Sequence, residues 1–247
     1  MSNITFEQFE LVSNAFSFAI AVMGAATIFL FLGVSRVTAN YKTAVSLSGI
    51  VTLIAFYHYW RIFDSWQGAY IVTAEGMQST LLKFNDGYRY VDWLLTVPLL
   101  LVELILVMRL SKEETFKQSA VLASLAAVMV ILGYPGEISS DHGTRWLWWC
   151  LSMIPFSIIL FKLVVGLSNS IKVQPESVRE LVSNARYLTI VSWLFYPIVF
   201  ILPMLGITGG SALTVVQVGY TIADIVAKAA FGVVIYMIAV RKSEIAA

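Results

Sequence analysis

Tyr220 to Val234 reads YTIADIVAKAAFGVV, and it sets one ammonium, Lys228, in the middle of an apolar run long enough to cross a bilayer. A charge at that depth costs several kcal/mol even on lenient insertion scales, so it has to be neutralised, paired or used covalently. Asp224 precedes it by four residues, which on a helix puts carboxylate and amine on one face. Snorkelling to the headgroups does not relieve the charge. A dozen residues separate Lys228 from the Arg241/Lys242 pair that ends the run, about 18 Å of helix.

Working outward, the whole chain has the composition of an integral membrane protein. Of its 247 residues 59% are hydrophobic and 13% charged, and the mean hydropathy is +0.81; soluble domains carry about a quarter charged residues. A net charge of +1 gives no reason to expect nucleic acid as a partner. A single cysteine, Cys150, excludes an intrachain disulfide and a structural zinc site, and is expected to be a small buried hydrophobe. No metal, P-loop or dinucleotide signature is present, and His58 and His142 lie far apart. The first dozen residues lack the basic start of a cleavable signal peptide, so the first apolar span is expected to do the targeting.

Seven apolar stretches follow one another at roughly 10–33, 44–66, 88–109, 119–136, 146–166, 186–206 and 211–240. The intervening segments are short, and strand-period alternation is absent, so the expectation is an all-α bundle of seven transmembrane helices forming one domain over 1–247, not a barrel. Arg36, Lys42, Arg109, Lys112, Lys117, Lys172, Arg179, Arg186, Arg241 and Lys242 collect on one side, with little beyond Lys83 and Arg145 on the other. By the positive-inside rule the N-terminus is placed outside and the C-terminus in the cytoplasm. Pro98, Pro155 and Pro197 fall within spans and predict local bends.

Two other spans hold ionisable groups. AFYHYWRIFDSW carries His58, Arg61 and Asp64, the last two expected as an interfacial ion pair. In YRYVDWLLTVPLLLVEL, Arg89, Asp92 and Thr96 share a face. Glu103, eleven residues past Asp92, is three turns plus about 20° further on, hence on nearly the same face and about 16 Å deeper. Such a column of protonatable groups along a bundle-facing stripe is what a proton relay needs. Solvation of Glu103 with Arg109 as partner, and His58 as a plain core residue, are the bland alternatives.

RYVDWLLTVPLL (89–100), AFYHYWRIF (55–63), GYPGEIS (133–139), WLFYP (193–197), LPMLG (202–206) and VGYTIADIVAK (218–228) together resemble the microbial rhodopsins, in particular the proteorhodopsin and xanthorhodopsin branch. The resemblance covers essentially all seven spans. It implies a multi-pass cell-membrane protein, an ion transporter and not an enzyme, with all-trans retinal bound to Lys228 as a protonated Schiff base. It further implies Asp92 as primary counterion and proton acceptor, Asp224 as second counterion, Arg89 below them, His58 paired with the acceptor, and Glu103 as cytoplasmic donor. Asp92, Thr96 and Glu103 match the outward proton-pump pattern. Trp93, Thr96, Leu100, Trp193, Tyr196 and Pro197 match residues along the polyene, with Gly133 and Trp149 near the ring; Phe200 replaces a more usual tyrosine or tryptophan. Leu100 resembles the green-absorbing choice. Carotenoid-binding relatives have glycine where Trp149 stands, so no antenna is expected. Relatives form pentamers or trimers, which implies a homo-oligomer. The rival functions are a photosensor signalling to a partner protein, against which Glu103 argues, and a retinal-free transporter or receptor with a structural Lys228/Asp224 pair.

Overall fold

The computed structural model describes residues 4–74 and 76–245. In order it contains α1 (Phe6–Gly33), α2 (Ala39–Ala69), a hairpin of β1 (Tyr70–Thr73) and β2 (Gly76–Ser79), α3 (Gly87–Met108), α4 (Lys112–Glu137), α5 (His142–Phe161), α6 (Ser168–Lys172), α7 (Glu176–Ile201), α8 (Gly209–Asp224) and α9 (Phe231–Ile245). A π-helical turn, Lys162–Gly166, joins α5 to α6, and another, Ile225–Ala230, joins α8 to α9. Among the described residues these make seven long helical rods, a seven-helix membrane bundle.

Six rods are long and apolar enough to cross a membrane by length and composition among the described residues. The second, α2, has the length, 31 residues. It is less apolar because His58, Arg61, Asp64 and several serines and tyrosines interrupt it. The helices also outrun the apolar stretches: α2 starts at Ala39 and α7 at Glu176, because polar first turns continue a helix past its hydrophobic part. Their ends carry local chemistry. Thr5 and Gln8 form a reciprocal capping box on α1, and Ser111 caps α4 through the Glu114 N–H. Asp141 caps α5; bonds from the Thr144 hydroxyl and N–H hold its carboxyl below the usual range.

Helices adjacent in sequence pack side by side, the last rod closes the ring against α1, and α9 also reaches α2, α3 and α7. The interior of that ring is apolar from Val130 and Phe156 to Leu104 and Ile238, all buried in one cluster. Phe18, Ile28, Leu32, Trp60, Val191, Ile198 and Ile222 are exposed on the outside, as a lipid-facing surface requires. Cys150 is exposed too, contrary to its expected burial, because its side of α5 faces away from the ring. Pro98, Pro155 and Pro197 lie within continuous helices. The hairpin pairs Tyr70 with Ser79 through Thr73 with Gly76; two four-residue strands are too short for their alternation to stand out in sequence. Gly76, at φ +106°, supplies the left-handed backbone there.

Candidate functional site

Lys228 sits inside the second π-helical turn and is 1% exposed. One extra residue in a helical turn rotates the side chains that follow, and such bulges concentrate at functional sites. The ammonium meets two carboxylates: Nζ lies 2.5 Å from Asp92 Oδ2 across the bundle and 2.9 Å from Asp224 Oδ1 on its own rod. Both carboxylates are buried. Burying three charges is tolerable only with dense pairing and hydrogen bonding, and Asp224 receives it. Tyr59 donates to Oδ2 at 2.8 Å, while Tyr196 and Trp93 donate to Oδ1 at 2.7 and 3.0 Å. Asp92 Oδ1 has no hydrogen-bond partner among the described residues.

Arg89, also 1% exposed, supports this centre from one side. Its guanidinium is 4.0 Å from Asp224 Oδ2, donates to Tyr59 at 3.2 Å and Gln217 at 2.6 Å, and lies 3.5 Å from Asp86. Gln217 passes the connection on, donating to Asp86 Oδ2 at 2.9 Å. Phe16, Tyr59 and Tyr220 rings surround the guanidinium within 6 Å. A continuous polar chain thus runs from Lys228 to Asp86, which is partly solvent-exposed.

Glu103 occupies a separate buried place on α3. It is 0% exposed, and Ser48 donates to its Oε2 at 2.6 Å while Oε1 has no hydrogen-bond partner among the described residues. Thr27 donates to Thr52, which in turn bonds the Ser48 carbonyl, extending a small polar seam through α1 and α2. Arg109 lies over the Tyr41 ring instead of pairing with Glu103. Thr96 is fully buried with its hydroxyl on the Asp92 carbonyl.

A cavity opens at Lys228. Its wall holds Trp93, Leu100, Gly133, Trp149, Trp193, Tyr196, Pro197 and Phe200, as expected of pocket residues from the sequence, but Thr96 is not part of it. The Thr96 hydroxyl is engaged by the Asp92 carbonyl instead. Tyr90, Val97, Met129, Ser152, Met153, Phe156 and Tyr220 line it as well. A largely apolar cavity with a few convergent polar groups at one end fits a long hydrophobic ligand anchored at that end. At Gly133 an added Cβ would lie 3.5 Å from Tyr90 and 3.6 Å from Ser152, in ordinary contact.

His58 is buried, but its Nδ1 bonds the Ile54 carbonyl at 2.9 Å and not Asp92. Arg61 turns to the hydroxyls of Tyr88 and Tyr57, at 2.7 and 3.2 Å, and not to Asp64. Sequence reasoning also missed Tyr59, Gln217 and Asp86. Gln217 carried a signal: 217, 221, 224 and 228 recur at helical spacing, so a glutamine two turns before Asp224 faces the same interior.

Residues 10–242 match the family model described as bacteriorhodopsin-like protein. The green-light absorbing proteorhodopsin of Gamma-proteobacterium EBAC31A08 is 31% identical over 225 residues, 91% of this chain and 84% of that protein. The crystal structure of xanthorhodopsin, described as a light-driven ion pump with dual chromophore, superposes with a TM-score of 0.95 at 47% identity, covering 100% of this chain and 99% of that one. A thermophilic rhodopsin matches at TM-score 0.94 and 41% identity, again over 100% and 99%.

Proposed function

Because the chain belongs to the bacteriorhodopsin-like family, in its proteorhodopsin and xanthorhodopsin branch, and is a multi-pass protein of the bacterial cell membrane, we propose that it is a light-driven outward proton pump carrying all-trans retinal on Lys228. One observation carries this reading: a single buried nitrogen lies between two carboxylates at the end of an apolar cavity, with a third carboxyl, Glu103, buried apart from them. The lining residues suit the ligand. Trp93, Leu100, Trp193, Tyr196 and Pro197 would flank the polyene, with Gly133, Trp149 and Phe200 toward its ring.

Retinal, held by Lys228 as a protonated Schiff base, would supply light absorption and photoisomerisation. The chain supplies the rest. Asp92, whose Oδ2 lies 2.5 Å from the Lys228 nitrogen and whose Oδ1 has no hydrogen-bond partner among the described residues, accepts the proton. Asp224, held by Tyr59, Tyr196 and Trp93, keeps its negative charge and anchors the electrostatics of the site. Arg89, Gln217 and Asp86 conduct the discharge toward the outer surface. Glu103 returns a proton to the Lys228 nitrogen and refills from the cytoplasm. Direction follows from which side each group faces at each moment; the basic residues on the C-terminal side support the N-terminus-outside orientation.

Trp149 lines the cavity, and its indole N–H donates to the Pro197 carbonyl at 3.2 Å. In this reading the indole closes the side of the cavity that carotenoid-binding relatives leave open with a glycine, and retinal serves as sole chromophore. A homo-oligomer, trimer or pentamer, belongs to the same reading. The test is direct: membranes containing the protein turn coloured with added retinal, and illuminated cells acidify unbuffered medium until a protonophore abolishes the signal. Colour without acidification replaces the pump with a photosensor, and no colour with a retinal-free protein.

A further inference from the structure

Lys242 is an ammonium that none of the roles above uses, and it is buried, 6% exposed. Among the described residues it has no carboxylate in ion-pair range. Its Nζ donates to the Val107 carbonyl at 2.6 Å and, very closely, to Gln174 Oε1. Gln174, likewise 6% exposed, donates through Nε2 to the Met108 and Ser170 carbonyls, each at 3.0 Å. Val107 and Met108 are the last two residues of α3, whose carbonyls have no partner within the helix. The chain then turns at Arg109 with φ 57°, a left-handed conformation that prevents α3 from continuing.

One ammonium and one amide thus tie three segments together: the end of α3, the last rod through α9, and the connection from α6 into α7, where Pro175 immediately follows Gln174. The tie stands on the Glu103 side of the bundle. Val107 is four residues past Glu103, one turn further along the same face of α3. Between them and the neighbouring rods lie Leu104, Val107, Met108, Val178, Val182 and Ile238, packed in one buried cluster. Glu103, fully buried with only Ser48 as partner, therefore lies behind this tie. For a proton to reach it from that end, α7 has to part from α3 and α9, and the bonds of Gln174 and Lys242 are what it must break.

We infer that Lys242 and Gln174 form a latch that closes the approach to Glu103 and sets how fast that carboxyl is reprotonated. The latch rests on the pump reading. Lys242 and Gln174 are both positioning residues, acting on the step through access.

The experiment compares wild type with Lys242→Met, Lys242→Arg and Gln174→Leu in retinal-loaded membranes. Flash spectroscopy reads proton loss from the Lys228 nitrogen as an early phase and recovery of the starting pigment, which needs Glu103 refilled, as a late one. Hydrogen–deuterium exchange in the dark around 174–178 gives a readout independent of light. Lys242→Met and Gln174→Leu are expected to speed the late phase about tenfold, the worth of a hydrogen bond to a charged group, with the early phase and the colour unchanged and exchange raised. Lys242→Arg, which keeps the donor, restores wild-type rates. An unchanged or slower late phase, equal changes in both phases, no restoration by arginine, or loss of pigment in both Met and Leu variants overturns the latch. A late phase insensitive to Glu103→Gln removes Glu103 from the donor role and the latch with it, whereas absence of light-driven acidification in wild type overturns the pump reading instead.

Discussion

Asp92 and Asp224 contact the same Lys228 nitrogen, at 2.5 and 2.9 Å, but in unequal settings. Asp224 takes three further hydrogen bonds from Tyr59, Tyr196 and Trp93, whereas one oxygen of Asp92 is bare. A carboxylate held by many donors pays for protonation with all of those bonds, while one with a free oxygen does not. The asymmetry divides the labour between acceptor and fixed counterion.

That division makes the first prediction. Asp224→Asn replaces a charged acceptor of three donors inside a buried ion cluster, a change of the kind that costs about 3 to 5 kcal/mol when one partner of a buried pair is lost. Asp92→Asn removes charge at a position with fewer bonds to break. The temperature of thermal bleaching is expected to fall further in Asp224→Asn than in Asp92→Asn, while light-driven acidification is expected to vanish in Asp92→Asn even where the pigment is intact. Pumping that survives Asp92→Asn removes Asp92 from the acceptor role.

Glu103→Gln tests the donor with little structural disturbance, since the amide oxygen can still accept the Ser48 hydroxyl at the position Oε2 now holds. Losing a positioned acid is worth about 100-fold or more in a proton-transfer step. The expected result is a late photocycle phase slowed by about that factor at neutral pH, with the early phase and absorption maximum nearly unchanged. Equal decay in both proteins would show that the Lys228 nitrogen is refilled by another route.

Lys228→Ala removes the amine on which colour depends. No pigment should form on adding retinal, and a small exogenous primary alkylamine supplied with it should restore absorption, because the cavity and both carboxylates are still in place. Pigment from the alanine variant with no added amine is incompatible with attachment at this residue.

How much of this was legible in the chain differs residue by residue. The pairing of Lys228 with Asp224 follows from helical spacing alone, and Arg89, Asp92 and Glu103 read as one stripe for the same reason. What sequence could not supply was the partner across the bundle: Tyr59 is separated by 165 positions from the carboxylate it bonds, and the Lys242–Gln174 tie spans 68. Gln174 sits in a polar connection where glutamine is unremarkable until a buried ammonium is found against it. The His58 ring was expected on Asp92, and a backbone carbonyl one turn back on its own helix took the bond instead. Local periodicity thus revealed which faces point inward, and tertiary packing decided which of the inward groups touch.

Trp149 gives the last prediction. Its ring is half-buried at the cavity wall, fixed by its bond to the Pro197 carbonyl and by an edge-on contact with Trp146 at 5.6 Å between centroids. Trp149→Gly deletes the indole and leaves a slot from the membrane face of α5 to the cavity. The glycine itself weakens the helix by about 1 kcal/mol relative to alanine, and lost packing adds to that, so a lower bleaching temperature is expected. If the indole is what shuts the window, membranes of the variant given a hydroxylated carotenoid should show carotenoid bands in the excitation spectrum of retinal emission, and wild-type membranes treated identically should not. Carotenoid bands already present in wild type mean that Trp149 does not close the site. Their absence from both proteins means that the surrounding rings, Trp146 and Phe200 among them, exclude a second chromophore even without it.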